Sequence, residues 1–233
     1  MNELAEALSF FAVFLFSTTL HEASHALAAL RLGDATAYHG GQVTLDPWPH
    51  IKRHPFGMVV LPLMSAVLTG WPMGFASAPY DPEWAERYPR RAALMALAGP
   101  AANLLLALLA AVALRAGESA GTFYAPSQIH FGAIAASEVS ATWNAVAHFL
   151  GVIFSMNLLL CLFNLLPFAP LDGSAAITLF MKPETTRRYQ AFMRSTPMLA
   201  WVGLMIAWQL ADVVFGPVFT MAVSLIYPGV SYG

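Results

Sequence analysis

The sequence predicts an all-α polytopic membrane protein, with about four transmembrane helices, one short or re-entrant segment and a small β-like loop. Three observations carry that expectation. Of the 233 residues, 58% are hydrophobic and only 10% charged, far below the roughly 25% charged residues of soluble domains. The apolar residues gather in blocks long enough to cross a bilayer core, which takes about 20 helical residues. Between the blocks stand short polar stretches rich in proline and glycine, the composition of connecting loops.

The first block, 5–32, exceeds that length and ends at Gly33. Its beginning carries Glu3 and Glu6 rather than the basic residues of a secretory leader, so it is expected to stay attached as part of span one. Residues 34–57 are polar, with short strands expected around Ala37-Tyr38 and over Gln42-Val43-Thr44-Leu45. His50 and His54 stand among prolines there with no acidic neighbour closer than Asp46, and read as interfacial polar residues rather than metal ligands. The apolar run 58–70 has about 13 residues and contains Pro62, too few for a full crossing. Residues 71–80, Trp-Pro-Met-Gly-Phe-Ala-Ser-Ala-Pro-Tyr, are too broken for a helix. Such backbone is tolerated at membrane depth only where protein or water surrounds it. It is either an interfacial loop or an extended edge able to pair with an unwound peptide.

Span two is expected over 92–114 and contains Gly99-Pro100 and Asn103. The first pair loosens helical hydrogen bonding and admits a neighbouring backbone, and the amide needs a partner inside the bilayer. Span three covers about 141–166, with His148 read as interfacial, and span four 197–227, with a bend expected at Gly216-Pro217. Asp212 is an intramembrane acid without a companion motif. Cys161, the one cysteine, excludes a disulfide framework and a thiolate cluster and reads as a small buried apolar residue. A net charge of −2 without a basic aromatic patch gives no argument for nucleic acid. The whole chain reads as one membrane-embedded domain, 1–233, whose solvent is the lipid bilayer.

Ten of the eleven lysines and arginines fall between 31–91 and 174–196, and only Arg115 lies elsewhere. If both stretches share one side, the excess of positive charge places them in the cytosol and both termini outside it. The ends of spans one and three then meet on the cytosolic side.

Within span one lies His21-Glu22-Ala23-Ser24-His25. On a helix the two histidines are one turn apart on one face, so their imidazoles can converge on one metal ion. Zinc suits the pair, and Glu22 stands near enough to take a proton from a metal-bound water. Ionisable side chains this deep in a bilayer are costly unless they face a protein interior and act there. Catalytic zinc commonly has three protein ligands. The third is expected from Asp172, set in Asn164-Leu165-Leu166-Pro167-Phe168-Ala169-Pro170-Leu171-Asp172-Gly173, where prolines and a glycine break the helix around one acid.

The HExxH run, the short segment with its Gly- and Trp-containing loop, Gly99-Pro100 with Asn103, and the Asn164–Gly173 motif together resemble the site-2 protease family of intramembrane zinc metallopeptidases. The likeness is to its compact bacterial type without a PDZ domain. The resemblance implies one Zn2+ per chain on His21, His25 and Asp172, with Glu22 as general base and Asn164 steadying the substrate carbonyl or oxyanion. It implies that Gly74, Phe75 and Ala76 line the substrate, and Asn103 is expected in the cleft wall. The family often has a second glycine where this chain has Ser174, and a basic residue where it has Ser77. The activity implied is peptide hydrolysis within or near a transmembrane helix of a membrane-protein substrate, in the cell inner membrane. Two rivals are a catalytically inactive relative acting as a helix-binding partner or complex subunit, and a metal transporter. Glu22 argues against the first, and the gathering of polar groups at one depth against the second.

Overall fold

The computed structural model describes residues 3–230, apart from the side chains of Glu3, Leu4 and Asp212. The sequence expectation for Asp212 therefore lies outside the described residues. Helix α1 runs Glu3–Leu32, and the short helices α2 (Thr36–His39) and α3 (Pro47–Arg53) follow. A five-residue π-helical turn, Phe56–Val60, leads into α4 (Leu61–Thr69). After an extended stretch come α5 (Pro82–Arg87), α6 (Pro89–Ser119), α7 (Ala141–Asn164) and α8 (Asp172–Ala176) with a 3-10 turn at Ile177–Phe180. Helices α9 (Pro183–Ser195) and α10 (Met198–Ile226) complete the described chain.

Three helices, Ala5–Leu32, Pro89–Ser119 and Ala141–Asn164, are long and apolar enough to span, and α10 is a fourth if its two bent halves form one span. Spans two and three match the sequence expectation to within a few residues, α6 being longer at both ends. The α10 bend, 41° between Met198–Ala211 and Val213–Ile226, lies one turn before the expected Gly216-Pro217. A helical proline clashes with the carbonyl four residues back, and for Pro217 that residue is Val213.

Helices α1, α6 and α7 form the central bundle, with α10 against α7 and α6. One apolar core joins α6, α7 and α10 through Leu114, Ala147, Phe154, Leu158 and Val223, closed by Phe123 and Ile134 from the α6–α7 connection. A second joins Phe10, Val13 and Phe14 of α1 to Val152 and Met156 of α7. Large apolar side chains such as Val67, Leu68, Trp201 and Leu225 face outward, as a lipid solvent allows.

The two expected strands are corrected. Ala37 and Tyr38 lie in α2, because the Asp34 carboxylate accepts from the Thr36 amide at 2.9 Å and its hydroxyl at 2.6 Å and turns the chain there. Residues 43–45 form bends and Gln42 is irregular, and among the described residues only isolated bridges occur, Tyr124 with Ala136 and His130 with Ala133.

Residues 54–81 make a re-entrant hairpin. The helical arm, Phe56–Thr69, ends at Gly70, whose φ of +73° suits a residue without a Cβ. Trp71 then packs on Phe10 and Phe131 in the depth of the bundle. The return arm is extended and brings the Asp81 amide to 2.9 Å from the Asp34 carboxylate, beside the end of α1. His54 meets Ser77 at the mouth, Nε2 to Oγ at 2.9 Å. The segment therefore enters and leaves on one side. That side also holds α9, since Arg194 pairs with Glu86 of α5 at 2.8 Å, so both basic loops lie at one end of the bundle.

Candidate active site

The HExxH residues sit midway along α1, and all three are nearly buried: His21 and His25 are 6% exposed and Glu22 5%. His21 Nε2, His25 Nε2 and Asp172 Oδ2 converge. The imidazole nitrogens are 3.0 Å apart, and the carboxylate oxygen is 3.0 Å from the first and 3.2 Å from the second. Donors of a tetrahedral zinc, bonded at roughly 2.0–2.1 Å, stand about 3.3 Å apart, so the three atoms are spaced as zinc ligands.

The opposite edge of each ring decides what the facing atoms are. His25 Nδ1 is 2.8 Å from the Met95 carbonyl, which can only accept, so Nδ1 carries the hydrogen and Nε2 presents its lone pair. His21 Nδ1 is 2.6 Å from Asn103 Oδ1 and is fixed in the same way. Two lone pairs and a carboxylate oxygen then face one another with no hydrogen between them. Such a set is repulsive by itself and favourable around a cation.

Two glycines make the approach geometrically feasible. A Cβ on Gly99 of α6 would collide with Nε2 of both histidines. One on Gly173 would collide with the Leu165 and Leu166 carbonyls, so glycine there lets the chain after α7 fold back and aim Asp172 at α1. Ser174 bonds its hydroxyl to the Leu171 carbonyl at 2.7 Å and holds the start of α8. Glu22 Oε2 is buried without a hydrogen-bond partner among the described residues. An orphaned carboxylate oxygen is expensive to bury.

Of the expected substrate residues, Gly74, Phe75 and Ala76 lie on the extended arm of the hairpin. The Phe75 amide donates to the Gly57 carbonyl at 3.0 Å, and the Phe75 side chain is 52% exposed. Asn103 bridges helices, as an amide in an apolar span requires; only its expected substrate contact is corrected, since it is fully buried and committed to His21, Asn157 and Ser17 rather than open to a cleft. Asn164 ends α7 and donates one amide hydrogen to the Leu160 carbonyl at 2.9 Å. His50 is buried and His54 is tied to Ser77, and neither joins the cluster. What sequence reasoning missed is Met95 and Asn157, a backbone carbonyl and a mid-span amide with no local motif to mark them.

The sequence model of peptidase family M50 matches residues 9–210, a stretch that contains all three clustered ligands. The chain belongs to this family. Among its relatives, Rip2 of Mycolicibacterium smegmatis is 34% identical over 174 residues, 75% of this chain and 58% of that protein. YwhC of Bacillus subtilis is 30% identical over 169 residues, 72% of this chain and 67% of its own length. Rip2 of Mycobacterium tuberculosis is 34% identical over 193 residues, covering 80% and 65%. All three are named as candidate zinc metalloproteases. The aligned region thus spans between 58% and 67% of these relatives. No solved structure matches the chain.

Proposed function

We propose that this chain is an intramembrane zinc metalloprotease that hydrolyses a peptide bond within or near a transmembrane helix of a membrane-protein substrate. The observation that carries the reading is the convergence of His21, His25 and Asp172 with their lone pairs turned inward. These residues would hold one Zn2+ per chain. Bound zinc would polarise the scissile carbonyl and bring the pKa of a coordinated water to about 7.

The chain's own groups do the rest. Glu22 takes the proton of the attacking water and passes it to the leaving amine. Asn164 keeps a second amide hydrogen for the charge developing on the carbonyl oxygen. The return arm of the hairpin, with Gly74, Phe75 and Ala76, receives the substrate as an extended strand, since a peptide bond inside an intact helix is shielded from attack. The protein lies in the cell inner membrane with its basic loops in the cytosol and both termini on the other face. That places the site toward the cytosolic side.

Elemental analysis of the detergent-purified protein is expected to find one zinc per chain, and Asp172→Ala to lose it or sharply reduce it. A parent chain free of zinc after careful reloading would end the reading.

A further inference from the structure

Asn103, which sets the His21 tautomer, has no fixed polarity of its own, because an amide can present oxygen or nitrogen to the ring. Its orientation is decided farther away. Asn103 Nδ2 lies 2.8 Å from Asn157 Oδ1 and 3.4 Å from the Ser17 carbonyl. Asn157 Nδ2 lies 2.8 Å from the Ile153 carbonyl and 2.9 Å from Ser17 Oγ. Ser17, Asn103 and Asn157 are all 0% exposed. Flipping Asn103 alone would set its oxygen against Asn157 Oδ1 and the Ser17 carbonyl. Flipping both amides would set oxygen against the Ser17 and Ile153 carbonyls. Each alternative leaves acceptors facing acceptors among fully buried groups, which forfeits their hydrogen bonds.

We infer that Asn157 of α7 is a positioning residue for the metal ligand His21, acting through Asn103, with the Ile153 and Ser17 carbonyls dictating the direction of the whole relay. The two histidines thus reach the same tautomer by different routes. His25 is set by one backbone carbonyl, and His21 by two amides that cross from α7 through α6 to α1. The inference rests on the zinc-site reading for its purpose, while the hydrogen on His21 Nδ1 is a property of the chain with or without metal.

The test uses the full chain in detergent, labelled with 15N-histidine, with His21 and His25 assigned by single removal of each ring. In the metal-free parent both rings are expected to carry a hydrogen on Nδ1, whatever proton the facing Nε2 atoms and Asp172 share. Asn157→Leu removes the acceptor for Asn103 and is expected to give His21 as a tautomer mixture and to weaken zinc binding about 10- to 100-fold, with the His25 signal unmoved. Asn157→Asp keeps an acceptor facing Asn103 whether neutral or ionised, and is expected to restore the His21 tautomer and zinc affinity to within a few-fold. The inference is overturned if the leucine variant keeps the parental tautomer and affinity, or if the aspartate variant fails as fully as leucine. A parent that shows the expected tautomers yet takes up no zinc would sink the zinc reading and leave the relay standing.

Discussion

The metal-ligand cluster and the re-entrant hairpin both pack against α1, through His21 and His25 and through Phe10 and Phe14 respectively, and are built on opposite plans. Around the cluster, side-chain polar atoms are buried and fastened to partners on α1, α6 and α7. The hairpin is tied largely through backbone groups, among them Phe75 N to the Gly57 carbonyl, Met73 N to Ser65 Oγ at 2.7 Å and Asp81 N to the Asp34 carboxylate, with the His54–Ser77 pair at its mouth. Phe75 and Tyr80 are about half exposed, and Val67 and Leu68 more so. The difference separates two tasks. On the proposed reading, reacting groups gain from being held before substrate arrives, whereas a segment that receives a transmembrane substrate has to yield. Changes in the cluster should therefore alter the chemistry and the metal, and changes in the hairpin should alter access alone.

The largest break is expected from Glu22→Gln. The amide is nearly isosteric with the carboxylate but cannot take a proton, and general acid–base catalysis typically contributes on the order of 10²- to 10⁴-fold. Cleavage of a reconstituted transmembrane substrate is expected to fall by that factor while zinc per chain stays at the parental level. Full cleavage by the glutamine variant would remove Glu22 from the mechanism.

Next in size is Gly99→Ala. The added methyl meets both Nε2 atoms, and α6 cannot retreat freely because Asn103, one turn on, is pinned to His21, Asn157 and Ser17. Overpacking of roughly 1–3 kcal/mol corresponds to zinc binding about 10- to 100-fold weaker, read by competition with a chelator. Unchanged affinity would show that the cluster is as compliant as the hairpin, and the contrast would fail.

How far these features were legible differs by kind. His21, Glu22 and His25 declare themselves because helical spacing is local, and Asp172 because prolines and a glycine mark an interruption around one acid. The spans are legible from length and composition. Asn103 was legible as an amide that must find a partner on another helix, because a polar side chain in an apolar span needs one; only the third dimension supplies which partners, Asn157 and Ser17, and withdraws it from the substrate cleft. The expected strand at Ala37-Tyr38 failed because the turn closed by the Asp34 carboxylate on Thr36 outweighs a weak β preference. The short segment could be sized but not aimed, since its return is fixed by the distant pair Asp34 and Asp81.

In the hairpin itself, Gly57→Ala places a methyl against the Phe75 carbonyl and ring, pushing the extended arm off the helical arm without touching the ligands. The expected result is a rise in KM of about 10-fold, again from roughly 1–3 kcal/mol of displaced packing, with kcat and zinc content little changed. A fall in kcat at constant KM would place the hairpin within the catalytic apparatus.

The smallest effect sharpens the comparison at the hairpin's anchor. Burial works to raise the Asp34 pKa, yet hydrogen bonds from the Thr36 hydroxyl and amide and from the Asp81 amide hold the carboxyl below its ordinary value. A group whose folded pKa is depressed stabilises the fold above its unfolded value, near 4, and loses that contribution as pH falls through the folded value. Asp34→Asn keeps an acceptor for Thr36 but exchanges a charged acceptor for Asp81 for a neutral amide, a loss of about 1–2 kcal/mol. The gap in thermal stability between parent and variant should hold steady from pH 5 to 8 and close only in stronger acid. A gap that closed near neutrality would mean that another group, not Asp34, anchors the return arm.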